Sequence, residues 1–259
     1  MNDPNWTEVG RIVAGAPAGT TVGVKAHVLG TERSWGDGAE TVMPAASTIK
    51  LGILVALHRA VDAGRLGLND RIAIKAGVKV QGSGVLTWLH HGLRLPVRDL
   101  AYLMIAISDN TASNVLIDLV GRERVQAALG DLGLRDTALN RRFLGRMPGA
   151  GEPENVTTAG DLAALVAAIW EDRAASPAGC ARMRGTLKLQ QHRDRIPRLL
   201  PEGCDFAGKT GSVGDVVHDV GVVEMPGETL ALAVMTRGFA TSYAAEEWIG
   251  RVARAAVGG

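Results

Sequence analysis

The chain lacks the features that point to metal, redox or membrane chemistry. It has two cysteines in 259 residues, Cys180 and Cys204. They form no C-x-x-C pair and sit in no zinc-binding pattern, so one disulfide and two free thiols both remain open. The six histidines show no H-E-x-x-H spacing, which argues against a zinc mechanism and leaves no metal or cofactor implied. Net charge is +1, so no nucleic-acid partner is expected. No apolar run is long enough to span a bilayer. The segment Met1 to Trp6 has neither a basic nor an apolar leader region, so it does not read as a signal peptide. The expectation is a cytoplasmic protein if the chain is complete, and an exported one if a leader has been trimmed. No internal repeat or low-complexity tract is present.

What is there is a globular composition, 46% hydrophobic and 21% charged, enough for a sizeable core and two lobes. Residues 4–15 read as a terminal helix. Val22, Val24, Ala26 and Val28 alternate as a strand does. Gly36-Asp37-Gly38 reads as a turn, and Thr41-Val42-Met43 as a second strand ended by Pro44. Apolar positions from Ile49 to Val61 follow helical spacing, with Gly64 as the stop. Helices are expected over 97–107, 111–120 and 122–132, then a long irregular loop over 140–156. Thr158 with Asp161 forms a capping-box-like start for a helix through Trp170. Val220–Glu224 and Thr229–Thr236 flank Pro226-Gly227 as a hairpin, and Tyr243 to Ala256 is amphipathic. A sheet built from both chain ends with a helical insertion satisfies this order.

Three strings carry chemistry: Ser47-Thr48-Ile49-Lys50, Ser108-Asp109-Asn110 and Lys209-Thr210-Gly211. Ser47 opens a helix and Lys50 follows one turn on, so the hydroxyl and the amine face the same way. A serine hydroxyl is a weak nucleophile until a base removes its proton, and an ordinary lysine is charged at neutral pH. The positive end of the helix and a second cation, Lys209, would both lower the Lys50 pKa. The plainer reading makes Ser47 an N-cap.

In this order the three motifs resemble the class A β-lactamases and penicillin-recognising serine hydrolases. The resemblance runs from about residue 10 to 257. It implies an α/β fold: a mostly antiparallel sheet flanked by terminal helices, plus an all-helical lobe, with the site in the groove between. The sheet lobe is expected over 1–45 and 190–259 and the helical lobe over 46–189. The resemblance implies Ser47 as nucleophile, Lys50 as base, Ser108 as proton shuttle and Lys209 as anchor for a substrate carboxylate. Asn110, Thr210, Gly211 and Ser212 would bind substrate, with the backbone N–H groups of Ser47 and Ser212 as oxyanion hole. Asp109 would point inward and fix its loop. The implied substrate is a small molecule or peptide-like amide, ester or lactam, and the implied state a monomer.

The chain departs from the class A pattern in the long loop. Where those enzymes carry a glutamate that primes the deacylating water, Leu139 to Leu144 places Phe143. Glu152 and Glu154 follow in the same loop, too late to align. An acyl-enzyme that forms but breaks down slowly is the consequence. Gly82-Ser83-Gly84 stands where many relatives place an aromatic, implying an open groove mouth or simply a turn. His218-Asp219 stands near the place of a carboxylate-binding arginine, with Arg237 as the candidate substitute and a non-anionic substrate as the alternative.

Overall fold

A computed structural model describes residues 5–258. Residue 4, part of the expected first helix, lies outside them. The order is α1 (Trp6–Ala14), β1 (Thr21–Val28), β2 (Ser34–Asp37), β3 (Met43–Pro44), a 3-10 turn (Ala46–Ile49) and α2 (Lys50–Asp62). There follow β4 (Arg71–Ala73), β5 (Arg94–Pro96), α3 (Val97–Ala106), α4 (Asn110–Val120) and α5 (Arg122–Asp131). The chain closes with β6 (Val156–Thr157), α6 (Ala159–Trp170), α7 (Pro177–Lys188), β7 (Asp205–Val213), β8 (Val216–Met225), β9 (Glu228–Arg237) and α8 (Ser242–Ala256).

The main sheet has the order β2-β1-β9-β8-β7, antiparallel throughout, so both chain ends supply its strands. Side chains alternate between its faces. Val24, Val217, Val223, Leu230, Leu232 and Val234 pack under the terminal helices, against Val9 and Ile12 of α1 and Trp248, Ile249 and Val252 of α8. Val220, Val222, Ala231, Ala233 and Met235 face the helical insertion and join its core, including Leu162 and Val166 of α6. Each Val, Leu, Ile or Met side chain so buried contributes about 1.5–3 kcal/mol.

Several local expectations need correction. Gly36 and Asp37 belong to the edge strand β2, paired with Lys25 and Val24, and the turn begins only at Gly38, whose carbonyl accepts from Thr41 N at 3.0 Å. Four residues are too few for periodicity to show. The strand expected over 41–43 is the shorter β3, and Pro44 is its last residue, paired with Val156 in a two-residue ladder whose partner lies 112 residues away by sequence number. The K-T-G residues lie inside β7, and the expected hairpin of β8 and β9 is the far side of a three-stranded meander. Thr158 caps α6 by accepting from Asp161 N at 3.1 Å, yet the Asp161 carboxylate does not return the bond. It accepts from Thr137 Oγ1 and Asp136 N instead, at 2.7 and 3.0 Å. The α7 helix went unread, although Ser176 caps it with Pro177 at its first position. Both cysteines are free thiols, Cys180 buried and Cys204 half-buried. Among the described residues no helix is long and apolar enough to cross a membrane.

The α8 face is the test of this packing. Ile249→Ala, fully buried against the sheet, is expected to cost about 2–5 kcal/mol in urea unfolding.

Candidate active site

The S-x-x-K residues bridge two kinds of helix. Ala46–Ile49 form a 3-10 turn and Lys50 begins α2. Ser47 is not an N-cap: Ala45 and Ile49 hold those positions, and neither makes a side-chain cap. Its N–H belongs to a first turn and has no intrahelical acceptor. Ala46 is held at a φ of 47°, an unfavourable value for a residue with a Cβ. Ser47 lines a cavity of about 150 Å³ together with Ser83, Asn110, Phe143, Arg146 and Ser212.

The Lys50 side chain is completely buried. Its amine meets Ser108 O at 2.7 Å, Ser108 Oγ at 3.0 Å and Asn110 Oδ1 at 2.9 Å. All three partners come from the S-D-N loop. Burial pushes the Lys50 pKa well below the usual lysine value, the Lys209 charge adds to this, and Asp109 opposes it. Burial, rather than the helix end expected from sequence, is the leading cause.

Asp109 organises the S-D-N loop. It caps α4 by accepting from Ala112 N at 2.8 Å. Its other oxygen accepts from Val85 N and Leu86 N at 2.7 and 2.9 Å. Asp109 therefore points inward, as expected. A Cβ on Gly84, at a φ of 104°, would stand 2.3 Å from that carboxylate, so the glycine is there for close approach. Ser108 takes a φ of 58°, a strained value that aims both its carbonyl and its hydroxyl at Lys50.

The K-T-G strand closes the other wall. A Cβ on Gly211 would lie 3.1 Å from Ser47 N, so the segment this glycine makes room for is the Ser47 turn. Lys209 is fully buried and donates to Thr210 O at 2.8 Å. Burial lowers its pKa to about 7, with Arg195 acting in the same direction and Asp219 opposing. Thr210 is buried and Ser212 exposed along the same strand.

The arginine of this wall is Arg195, which sequence reasoning missed. Its guanidinium donates to Gly211 O at 3.1 Å, His218 O at 2.6 Å and Ser212 Oγ at 2.7 Å. Only the folded sheet brings residue 195 there, so no local signal announced it. Arg237 instead pairs with Asp215 at 3.2 Å, on the surface. Asp219 does not face the groove either: it is buried, accepts from Ile196 N at 3.0 Å, and burial raises its pKa to about 7. The non-anionic substrate inferred from that acid loses its basis.

The long loop supplies the floor. Arg141 clamps Glu154 at 2.7 and 2.9 Å, and Arg146 pairs with Glu152 at 2.6 Å, so both loop glutamates are engaged in ion pairs. Asn155 O accepts from Ala45 N at 2.7 Å, tying the loop to the Ser47 segment. The Phe143 ring centroid lies 4.4 Å from Lys50 Nζ. Asn114 fixes it there, accepting from Phe143 N at 2.9 Å and donating to Phe143 O at 3.0 Å. Asn114 was also missed; its place one helical turn after Asn110 was the available signal.

The chain matches the model of the β-lactamase enzyme family over residues 6–258, and it belongs to that family. A β-lactamase from Sphaerobacter thermophilus DSM 20745 superposes with a TM-score of 0.94 at 44% identity, covering 97% of this chain and 96% of that one. A point mutant of PBP-A, solved as an acyl-enzyme complex with penicillin G, superposes at 0.88 and 31% identity, over 96% and 93% of the two chains. The β-lactamase regulatory protein BlaB of Streptomyces cacaoi is 26% identical, over 80% of this chain and 81% of its own. The fold is thus that of the class A β-lactamases and PBP-A.

Asn114→Ala removes both bonds that hold Phe143. The variant is expected to lose about 1–3 kcal/mol of stability and to be cut faster by protease within residues 141–154, read by limited proteolysis with mass spectrometry.

Proposed function

We propose that this member of the β-lactamase family is a serine acyl transferase whose Ser47 forms an acyl-enzyme with a β-lactam or related cyclic amide or ester, and releases it slowly. The observation that carries the reading is the buried amine of Lys50, bonded to Ser108 and Asn110 beside the cavity that Ser47 lines. A neutral amine there donates to two of these three oxygens and keeps its lone pair for a proton. In the proposed reaction the Ser47 hydroxyl adds to the substrate carbonyl while its proton passes to Lys50. The C–N bond breaks as Ser108 hands a proton to the leaving nitrogen and regains one from Lys50. Asn110 orients the amide on the acyl side. Ser47 N–H and the Ser212 backbone stabilise the developing oxyanion. Lys209 holds a substrate carboxylate, with the Ser212 hydroxyl held at the same strand edge by Arg195.

Phe143 sets the second half of the reaction. A carboxylate in its position would deprotonate water; a phenyl ring shields Lys50 and takes no proton. Release to water is therefore the slow step, and a carboxypeptidase-like or esterase-like enzyme, or a sensor that is acylated once, shares the same first half. The named regulatory function of one relative suits the sensor variant.

Intact-protein mass spectrometry after adding penicillin G tests this directly. A stoichiometric adduct that persists is expected, and none in Ser47→Ala; turnover of a chromogenic cephalosporin by Ser47→Ala would end the proposal. Phe143→Glu is expected to shorten the adduct lifetime by about tenfold or more, through restored general-base catalysis.

The pH dependence of binding follows from Lys209. Its charge is present below about pH 7 and lost above it. The noncovalent affinity for penicillin G should thus weaken as pH rises through that value. Lys209→Arg, whose guanidinium stays charged, should flatten the profile in stopped-flow acylation kinetics.

A further inference from the structure

In the sequence His218 stands near the place of a substrate-binding arginine, yet its imidazole does not line the cavity. It is fully buried, on the sheet face that looks toward the helical insertion. Its Nε2 lies 2.9 Å from Pro44 O, three residues before Ser47. Its Nδ1 accepts from Thr236 N at 3.2 Å. A carbonyl can only accept and an N–H can only donate, so a single neutral tautomer fits, with the proton on Nε2. Burial holds the ring neutral by lowering its pKa to about 4.

What this bridge ties together matters for chemistry. The ladder that precedes Ser47 is two residues long, Met43–Pro44 against Val156–Thr157 of the long loop. Ala46 then carries an unfavourable positive φ, which persists only where the surroundings hold it. Gly211, the register partner of His218, lies against Ser47 N. Arg195 grips the carbonyls of both Gly211 and His218. One imidazole therefore links β9, β8 and the strand leading to Ser47, at the level where the two proposed oxyanion donors meet.

We propose that His218 is a positioning residue: it sets the spacing between the Ser47 turn and the β7 edge, and so the geometry in which Ser47 is acylated. This rests on the reading of Ser47 as nucleophile. A displaced turn would still bind substrate, because Lys209 and Asn110 are untouched, but it would misalign the hydroxyl and the oxyanion donors.

The test uses the full chain, penicillin G and rapid-quench intact mass, with rates normalised to folded protein. In His218→Phe, which keeps the volume and loses both bonds, the acylation rate constant is expected to fall about tenfold to hundredfold with noncovalent affinity unchanged, the scale set by small misplacements of reacting groups. In His218→Gln, whose amide N–H reaches toward Pro44 O, most of that rate should return. Undiminished acylation per folded molecule in His218→Phe, with only the melting temperature lowered, would overturn the inference alone. Absence of any adduct on the wild-type protein would overturn the nucleophile reading and this inference with it. Should His218→Phe fail to fold, His218→Gln and nitrogen-15 NMR of the wild type still decide. A protonated Nδ1, or a ring titrating at the ordinary histidine value, contradicts the bridge; a lone Nε2–H that resists titration supports it.

Discussion

The burial of the Lys50 amine is the constraint around which the rest of the groove is arranged. An ammonium taken from water costs far more than its hydrogen bonds return unless it is paired, and among the described residues no carboxylate bonds to it. The groove offers one carbonyl, one hydroxyl and one amide oxygen instead. With the Lys209 charge in the opposite wall adding to burial, the balance shifts toward the uncharged amine. The neighbouring structure serves to keep those three acceptors in place. Asp109 fixes the loop from behind, and Gly84 lets a second loop close over it.

Segments far apart in sequence meet at this amine. The S-D-N loop comes from the helical insertion and the K-T-G strand from the sheet edge, while Ser47 lies on the turn between them. Strain marks the junction: Ala46 and Ser108, flanking the chemistry on either side, both occupy left-handed backbone regions. Such conformations need over-determination by neighbours. The Pro44 and Ala45 bonds to His218 and Asn155 supply it for the Ser47 turn, and the Lys50 amine supplies it for Ser108.

The long loop holds an apolar side chain where the sequence resemblance implies a carboxylate. Arg141 and Glu154 close the loop and Asn114 pins its inner turn, so the floor is as well defined as a catalytic loop requires. The residue that the pinned turn presents to Lys50 is Phe143. An apolar ring there offers no proton acceptor, the feature on which the proposed slow release rests.

The sequence by itself determined the elements whose signals are local. Helical periodicity marked α2, α3, α4 and α8, and a turn dipeptide marked the β8–β9 hairpin. The three motifs named Ser47, Lys50, Ser108 and Lys209, and the resemblance in the long loop put Phe143 where a glutamate was expected. Tertiary structure alone decided the remainder. Arg195 reaches Gly211 and Ser212 only because a later segment folds across the sheet edge. His218 and Asp219, adjacent in the chain, turn to opposite faces because strand side chains alternate. The same alternation sends Asp219 under the terminal helices and His218 toward the Ser47 segment, and no spacing of residue types reveals which face a strand will bury.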